Sequence, residues 1–249
     1  MPTMPAGSIR IMATVGIALL AASAAMAAEP APADHAGLSD AEISRRIAFL
    51  EQRLDDSRTH GQIWYWSWLA INGGSMVGNG IVAGLSGQHD DRVNYATGAA
   101  LGAIGVADLF LRPLEARYGA APIRRLPEAT MAQRLAKLRA AEDQLHRNAL
   151  RAEERTQVLP YAGNAGLALA AGLVVGLWGE RGSGIQTGVS TLVGGTLNIV
   201  TQPARPARDW QDYLAQINSG TGRRSAGVHV DVVLASFTDG ARLDVRLRW

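Results

Sequence analysis

Asp108 is the residue of this 249-residue chain best placed by type and surroundings to do chemistry. It is a carboxylate inside an apolar segment, where an unpaired charge is costly and, within a membrane, marks function by default. A matched position later in the chain holds Asn198. Asn72 and Asn164 form a second matched pair of polar residues on apolar segments, suited to binding a ligand or to joining helices by hydrogen bonds. Each has a plainer reading. Arg112 lies one turn after Asp108, so a local i,i+4 ion pair is the preferred explanation of that carboxylate. Asn72 and Asn164 are read as bridging helices across a pseudo-twofold. His89-Asp90-Asp91 offers nitrogen and oxygen ligands to a metal, but its duplicate has only Glu180-Arg181, and a solvated loop tip is expected. No nucleophile elbow, phosphate-binding loop or H-E-x-x-H zinc motif is present. No catalytic residue, cofactor site or metal site is therefore assigned.

Composition narrows the function classes further. The chain has 24 basic and 22 acidic residues and no cysteine. Without Arg10 the balance is nearly even, and no basic footprint for nucleic acid is seen. Lacking cysteine, the chain has neither a disulfide framework nor thiolate ligands. The N-terminus reads as an export sequence: Arg10, an apolar run from Ile11 to Ala22, then Ala25-Met26-Ala27. That order suits a cleaved signal peptide over residues 1–27, and the apolar run is short for a bilayer span. Residues 28–38, rich in Pro and Ala, read as an extended tether.

The elements that must position these residues come as a duplicated unit. Asn72-Gly73-Gly74 and Gly80 to Gly87 match Asn164-Ala165-Gly166 and Gly172 to Gly179. Thr97-Gly98, Gly105, Asp108 and Pro113 match Thr187-Gly188, Gly195, Asn198 and Pro203. Unit one covers 39–113; a connector and unit two cover 114–203. Each unit opens with an amphipathic helix. Ser39 with Glu42, and Thr130 with Gln133, read as capping boxes. Ile43, Ile47, Leu50 and Leu54 form one stripe; Met131, Leu135, Leu138 and Leu145 form the other.

Two apolar segments follow in each unit: Ile63–Gly87 with Val93–Leu111, and Val158–Gly179 with Gly184–Thr201. Short polar loops, Gln88 to Arg92 and Glu180 to Ser183, make each pair an antiparallel helical hairpin. Glycines recur at small-xxx-small spacing, as in Gly74/Gly78, Gly98/Gly102 and Gly172/Gly176. Gly costs about 1 kcal/mol against Ala in a helix interior. So many are expected only where helix backbones approach closely, as inside membranes.

Membrane lipid is thus an expected partner, with self-association through the glycine faces. Trp64, Tyr65, Trp66 and Trp68 suit either an interfacial belt or a core. If all four segments span, the long connection carries nine arginines and Lys137, and the short loops only Arg92 and Arg181. With export placing that connection outside, the positive-inside rule disfavours a four-span inner-membrane protein. The outer membrane, or insertion from the periplasmic side, is preferred, and hairpins packed as the buried core of a soluble or oligomeric periplasmic domain are the other reading.

After Pro203 a short helix and linker (204–227) lead to an expected β-hairpin over 228–249. Its strands alternate about Asp239-Gly240, with Val230 set opposite Trp249. The last eight or so residues resemble the closing strand of outer-membrane β-barrel proteins, but the glycine-rich segments do not alternate as barrel strands must. The expected fold is mainly α, and the expected role a non-enzymatic, membrane-associated structural or assembly component of the cell envelope. A transport or channel element using Asp108 and Asn198, and a periplasmic enzyme without a recognisable motif, are the alternatives.

Overall fold

A computed structural model describes His35, residues 37–217, the backbone of 218–220, and the strand backbones 229–237 and 240–248. The expected signal peptide, most of the tether, the linker 221–228, Asp239 and Trp249 lie outside the described residues. The chain divides into two compact units, up to Trp210 and from Gln211 onward. Through Gly220 the described elements are helical, and the protein is mainly α.

The first helix, α1 (Asp40–Asp56), starts where Ser39 accepts a hydrogen bond from the Glu42 N–H. That satisfies one of the free N–H groups of the first turn. Its stripe is the expected one: Ile43, Ile47, Leu50 and Leu54 are buried. Only Ser57 separates it from α2 (Arg58–Leu85), which pairs with α3 (His89–Leu111). A 3-10 turn, η1 (Glu115–Tyr118), and a single helical turn, α4 (Ala121–Arg124), follow. Next comes α5 (Met131–Glu154), which begins with the full Thr130–Gln133 capping box. Leu138 and Leu145 are buried as expected, whereas Met131 is exposed because it sits in the first turn, at the end of the stripe. Then α6 (Val158–Trp178) pairs with α7 (Arg181–Val200), and α8 (Arg205–Gly220) crosses the division between units.

The loops are shorter than the sequence suggests. His89 to Arg92 form the opening turn of α3, and Arg181 to Ser183 that of α7. Asp90 and Asp91 sit in that first turn, where carboxylates meet the positive end of the helix dipole. The last helix, α8, ends at Gly220.

Each hairpin is closed by glycines that admit the partner helix. A Cβ on Gly102 would lie 2.5 Å from the Met76 nitrogen and 2.7 Å from the Asn72 oxygen. One on Gly184 would lie 2.6 Å from the backbone of Gly176. The hairpins themselves meet at both ends. At the base, Trp64 Nε1 donates to the Asn198 oxygen at 3.1 Å and Trp68 Nε1 to Thr201 Oγ1 at 3.3 Å. At the loop end, Thr187 donates to Asn94 at 3.0 Å. Both tips therefore lie at one end of a four-helix bundle, and α1 and α5 pack as a cap at the other.

The two parts differ in what they bury. In the cap, Ile43, Leu50, Leu138, Ala141 and Ala149 are fully buried. Apart from Tyr118 and Met131, the exposed large hydrophobic residues lie on α2, α3, α6 and α7. The second unit comprises the end of α8 and two strands, β1 (His229–Phe237) and β2 (Gly240–Arg248), paired antiparallel. Val230 is opposite Leu247 rather than Trp249, a shift of two in backbone register. Phe237 pairs with Gly240, so Gly240 belongs to the strand rather than the turn.

Gly102→Ala is expected to destabilise the protein by about 1–3 kcal/mol, because the added carbon meets backbone. Gly78 has nothing within 4 Å, so Gly78→Ala is expected to be neutral or to add up to ~1 kcal/mol of helix propensity. Chemical unfolding of the two purified variants under the same conditions checks the contrast; equal effects would contradict the close approach at Gly102.

Candidate functional site

Four polar positions stood out in the sequence, and the fold gives each a structural partner. Asn72 lies on α2 against Gly105 of α3, where a Cβ on Gly105 would come 2.5 Å from the Asn72 amide. Asn164 lies on α6 against Gly195 of α7 in the same way, and its amide donates to the Leu192 oxygen at 2.9 Å and to Thr196 Oγ1 at 3.3 Å. For Asn164 the expectation of a bridge across the pseudo-twofold is corrected, since it joins the two helices of its own hairpin; Asn72 lies against the partner helix of its own hairpin. The reason is local. Gly105 and Gly195 offer no side chain, leaving room for an amide to reach neighbouring backbone.

Asp108 sits near the C-terminal end of α3 in a charged cluster with α5. Arg112 is 3.5 Å away, the expected i,i+4 pair, and Arg151 is 4.0 Å away. Glu154 completes the cluster, 2.5 Å from Arg112 and 2.7 Å from Arg151. Two carboxylates thus face two guanidinium groups. Burial, and then the neighbouring Arg112, pulls Arg151 below its ordinary value, so Asp108 and Glu154 are what hold its charge. Asn198, the counterpart of Asp108, instead supplies its backbone oxygen to Trp64. No hydrogen bond or ion pair joins Asp108 to Asn198 among the described residues. The arrangement ties hairpin to cap.

Other polar contacts serve the same purpose. Asp55 of α1 accepts from the Ala120 N–H at 2.9 Å and pairs with Arg124, pinning the η1–α4 segment. Gly119 adopts φ +57°, and a Cβ there would lie 2.6 Å from Asp55 Oδ1, so only glycine suits the turn. Gln144 of α5 donates to the Gly119 oxygen at 2.8 Å. His35 reaches Glu142 at 2.8 Å, fastening the start of the described chain to α5. Burial would raise the Asp55 carboxyl, but the Ala120 N–H and Arg124 outweigh it and hold the group below its ordinary 3.8.

The remaining expectations divide. Trp64 and Tyr65 are buried beside Leu109 and Leu114, whereas Trp66 is 63% exposed and Trp68 half-buried. His89-Asp90-Asp91 lies exposed at the hairpin tip, and no group of three metal-ligating side chains occurs among the described residues. One open groove of about 380 Å³, lined by Glu51, Glu128, Arg134 and Lys137, lies on the cap. Its charges are already matched: Lys137 sits 2.7 Å from Glu128 and 3.2 Å from Glu51. A cluster the sequence reading missed is Arg117 with Tyr65 and Tyr118. The Arg117-Tyr118 dipeptide, four residues after helix-ending Pro113, was its only trace in the sequence. No family model, curated protein or solved structure matches this chain.

Two outcomes follow. Because the folded carboxyl of Asp55 titrates below its unfolded value, its contribution is complete above the unfolded value and is lost as pH falls through the folded one. Asp55→Asn should flatten the acid limb of unfolding midpoint against pH, which a series of melts from neutral pH downward would read. Asp108→Asn should cost about 1–3 kcal/mol by leaving Arg151 short of a carboxylate. A double-mutant cycle with Arg112→Gln should give a coupling of roughly 0.5 kcal/mol or more; strict additivity would remove the pair from the stabilising cluster.

Proposed function

We propose that this chain is an exported, membrane-embedded component of the cell envelope with a non-enzymatic structural or assembly role. The observation that carries the reading is where the exposed apolar side chains lie. Leu85, Leu111, Leu169, Leu177 and Ile185 are among many such residues on the outer surfaces of the hairpin helices. Burying one side chain of this kind is worth about 1.5–3 kcal/mol. Left in water these side chains would add nothing to stability, and soluble monomers rarely expose apolar patches larger than a few hundred Å². A hydrocarbon surround removes the conflict.

Length supports the same reading. Two helices, α3 and α6, are long and apolar enough to cross a membrane. From Trp66 to Leu85 along α2 is about 29 Å, and from Tyr161 to Trp178 along α6 about 26 Å, at 1.5 Å per residue. A typical hydrocarbon core is ~30 Å thick. Polar side chains on these helices turn to their own backbone, as Thr97 does to Val93 and Thr191 to Thr187. Such internal satisfaction is required where water is absent.

The matched contacts Asn72–Gly105 and Asn164–Gly195 favour duplication of one helix-plus-hairpin unit. Gly73, Gly74, Gly78 and Gly166 have nothing within 4 Å, which suits close packing of a second copy. The C-terminal β-hairpin is taken as an appended element whose apolar face needs cover, since a lone hairpin is marginal in water. Export rests on Arg10, the apolar run to Ala22 and Ala25-Met26-Ala27. With both tips at one end and the arginine-rich cap at the other, export leaves most arginine outside. Insertion in the outer membrane, or from the periplasmic side, therefore stays preferred to a four-span inner-membrane protein. A transport role has less support, because Arg112 and Arg151 already occupy Asp108.

Fractionation of the tagged protein with a carbonate wash tests the reading. Recovery in a wash-resistant, outer-membrane-enriched fraction is the expected result. Recovery as soluble periplasmic protein would overturn membrane embedding, and wash-resistant recovery in the inner membrane would overturn the charge argument.

A further inference from the structure

Arg117 stands where the apolar surface of the bundle meets the cap. Its η1 backbone packs so tightly against Gly61 of α2 that a Cβ there would lie 2.9 Å from the Arg117 nitrogen. The guanidinium carbon lies 3.6 Å from the centre of the Tyr65 ring and 4.6 Å from that of Tyr118. The guanidinium also donates to the Tyr118 hydroxyl. Tyr65 meets Trp66 edge-on at 5.3 Å, and Trp66 and Tyr118 are both exposed. Ile63, Phe110 and Leu111, also exposed, mark the same level on α2 and α3.

This arginine is treated differently from its neighbours. Arg112, Arg124, Arg147 and Arg151 each meet a carboxylate within 4.0 Å. Arg117 forms no such ion pair among the described residues; its buried Nε has no acceptor there, as is also true of Arg151. A guanidinium placed over two aromatic rings is restrained before any ligand arrives, and its N–H fork matches two oxygens of a phosphate. Exposed Trp and Tyr at the same level are what a bilayer interface selects.

Resting on the membrane reading above, we infer that Arg117, clamped by Tyr65 and Tyr118 beside Trp66, is a seat for the phosphate of an anionic phospholipid headgroup. The apolar rim below it takes the acyl chains, and the clamp supplies the charge-assisted hydrogen bonds. Arg155 gives an internal comparison. It precedes exposed Val158 at the foot of the other hairpin and forms no ion pair among the described residues, but it lies over no ring and donates instead to the Gln202 oxygen at 3.0 Å. Its contribution should be smaller.

The test uses the full chain reconstituted into phosphatidylcholine vesicles, alone or doped with phosphatidylglycerol, with thermal unfolding and lipid co-purification as readouts. Phosphatidylglycerol should raise the unfolding midpoint and co-purify in a salt-sensitive manner. Arg117→Gln should weaken that retention about tenfold, the loss of one charge-assisted contact. Arg117→Lys should restore only part of it, because an ammonium lacks the planar N–H fork, and Arg155→Gln should change it less. Equal behaviour of Arg117→Gln and the parent protein, or indifference to phosphatidylglycerol, would overturn the site. Equal protection of detergent-solubilised protein by inorganic phosphate would also overturn it, assigning the seat to a soluble oxyanion. Failure of the parent protein to resist carbonate extraction would instead fall on the membrane reading, and it is seen before any lipid is compared.

Discussion

The close approach of backbones within each helical hairpin is the constraint on which the rest of the structure depends. At Gly102 and Gly184 the partner helix occupies the volume where any other residue would carry a Cβ. Helices so close gain dispersion along their length and bring backbone oxygens within reach of side chains on the opposite helix. The Asn164 amide, held between Leu192 and Thr196, is possible only at that separation. Small residues at the seam also leave many of the large ones pointing outward. The exposed rows of Leu, Ile and Val on the bundle are thus the geometric complement of its glycine interior.

A body with an apolar exterior and a glycine interior must be joined to a cap built on the opposite plan. The cap hides its aliphatic residues between α1 and α5 and presents arginine and glutamate outside. At the junction neither rule holds alone, and polar contacts of defined geometry take over. Asp55 pins the η1–α4 segment, and the cluster of Asp108, Arg112, Arg151 and Glu154 locks α3 to α5. Trp64 and Trp68 carry one hairpin to the foot of the other through indole N–H donors. An indole can bury its rings and still donate, which suits a junction between buried and exposed surface.

Much of this was legible from residue order because it is set by periodicity and chain-local chemistry. The caps at Ser39 and Thr130, the stripe from Ile43 to Leu54 and the existence of both hairpins needed only spacing. Which glycines pack and which stay open was not legible. Gly74/Gly78 and Gly98/Gly102 share one spacing, yet only the second pair faces its partner, because rotational phase depends on contacts distant in sequence. The aromatic run from Trp64 to Trp68 was ambiguous for the same reason, and a helix turns Trp66 outward and Tyr65 inward. His35 with Glu142, and Arg117 with Tyr65, join residues far apart in the chain, and no local pattern announces such pairs.

The fate of Asp108 shows how a polar residue on an apolar helix should be weighed. Its cost depends on depth along the helix, and it lies in the last turn of α3, where arginines of two elements can reach it. A carboxylate at mid-helix would have needed a partner inside the bundle; here the partners come from the cap. The same reasoning turns attention to Arg117. Charge at the level of the last helical turn is ordinary when matched, as in the Asp108 cluster. A guanidinium at that level without a carboxylate, held instead by two rings, leaves a charge to be met from outside the described chain. Of the polar groups at the junction, Arg117 is therefore the one whose surroundings ask for a ligand, and Asp108 the one whose surroundings explain it.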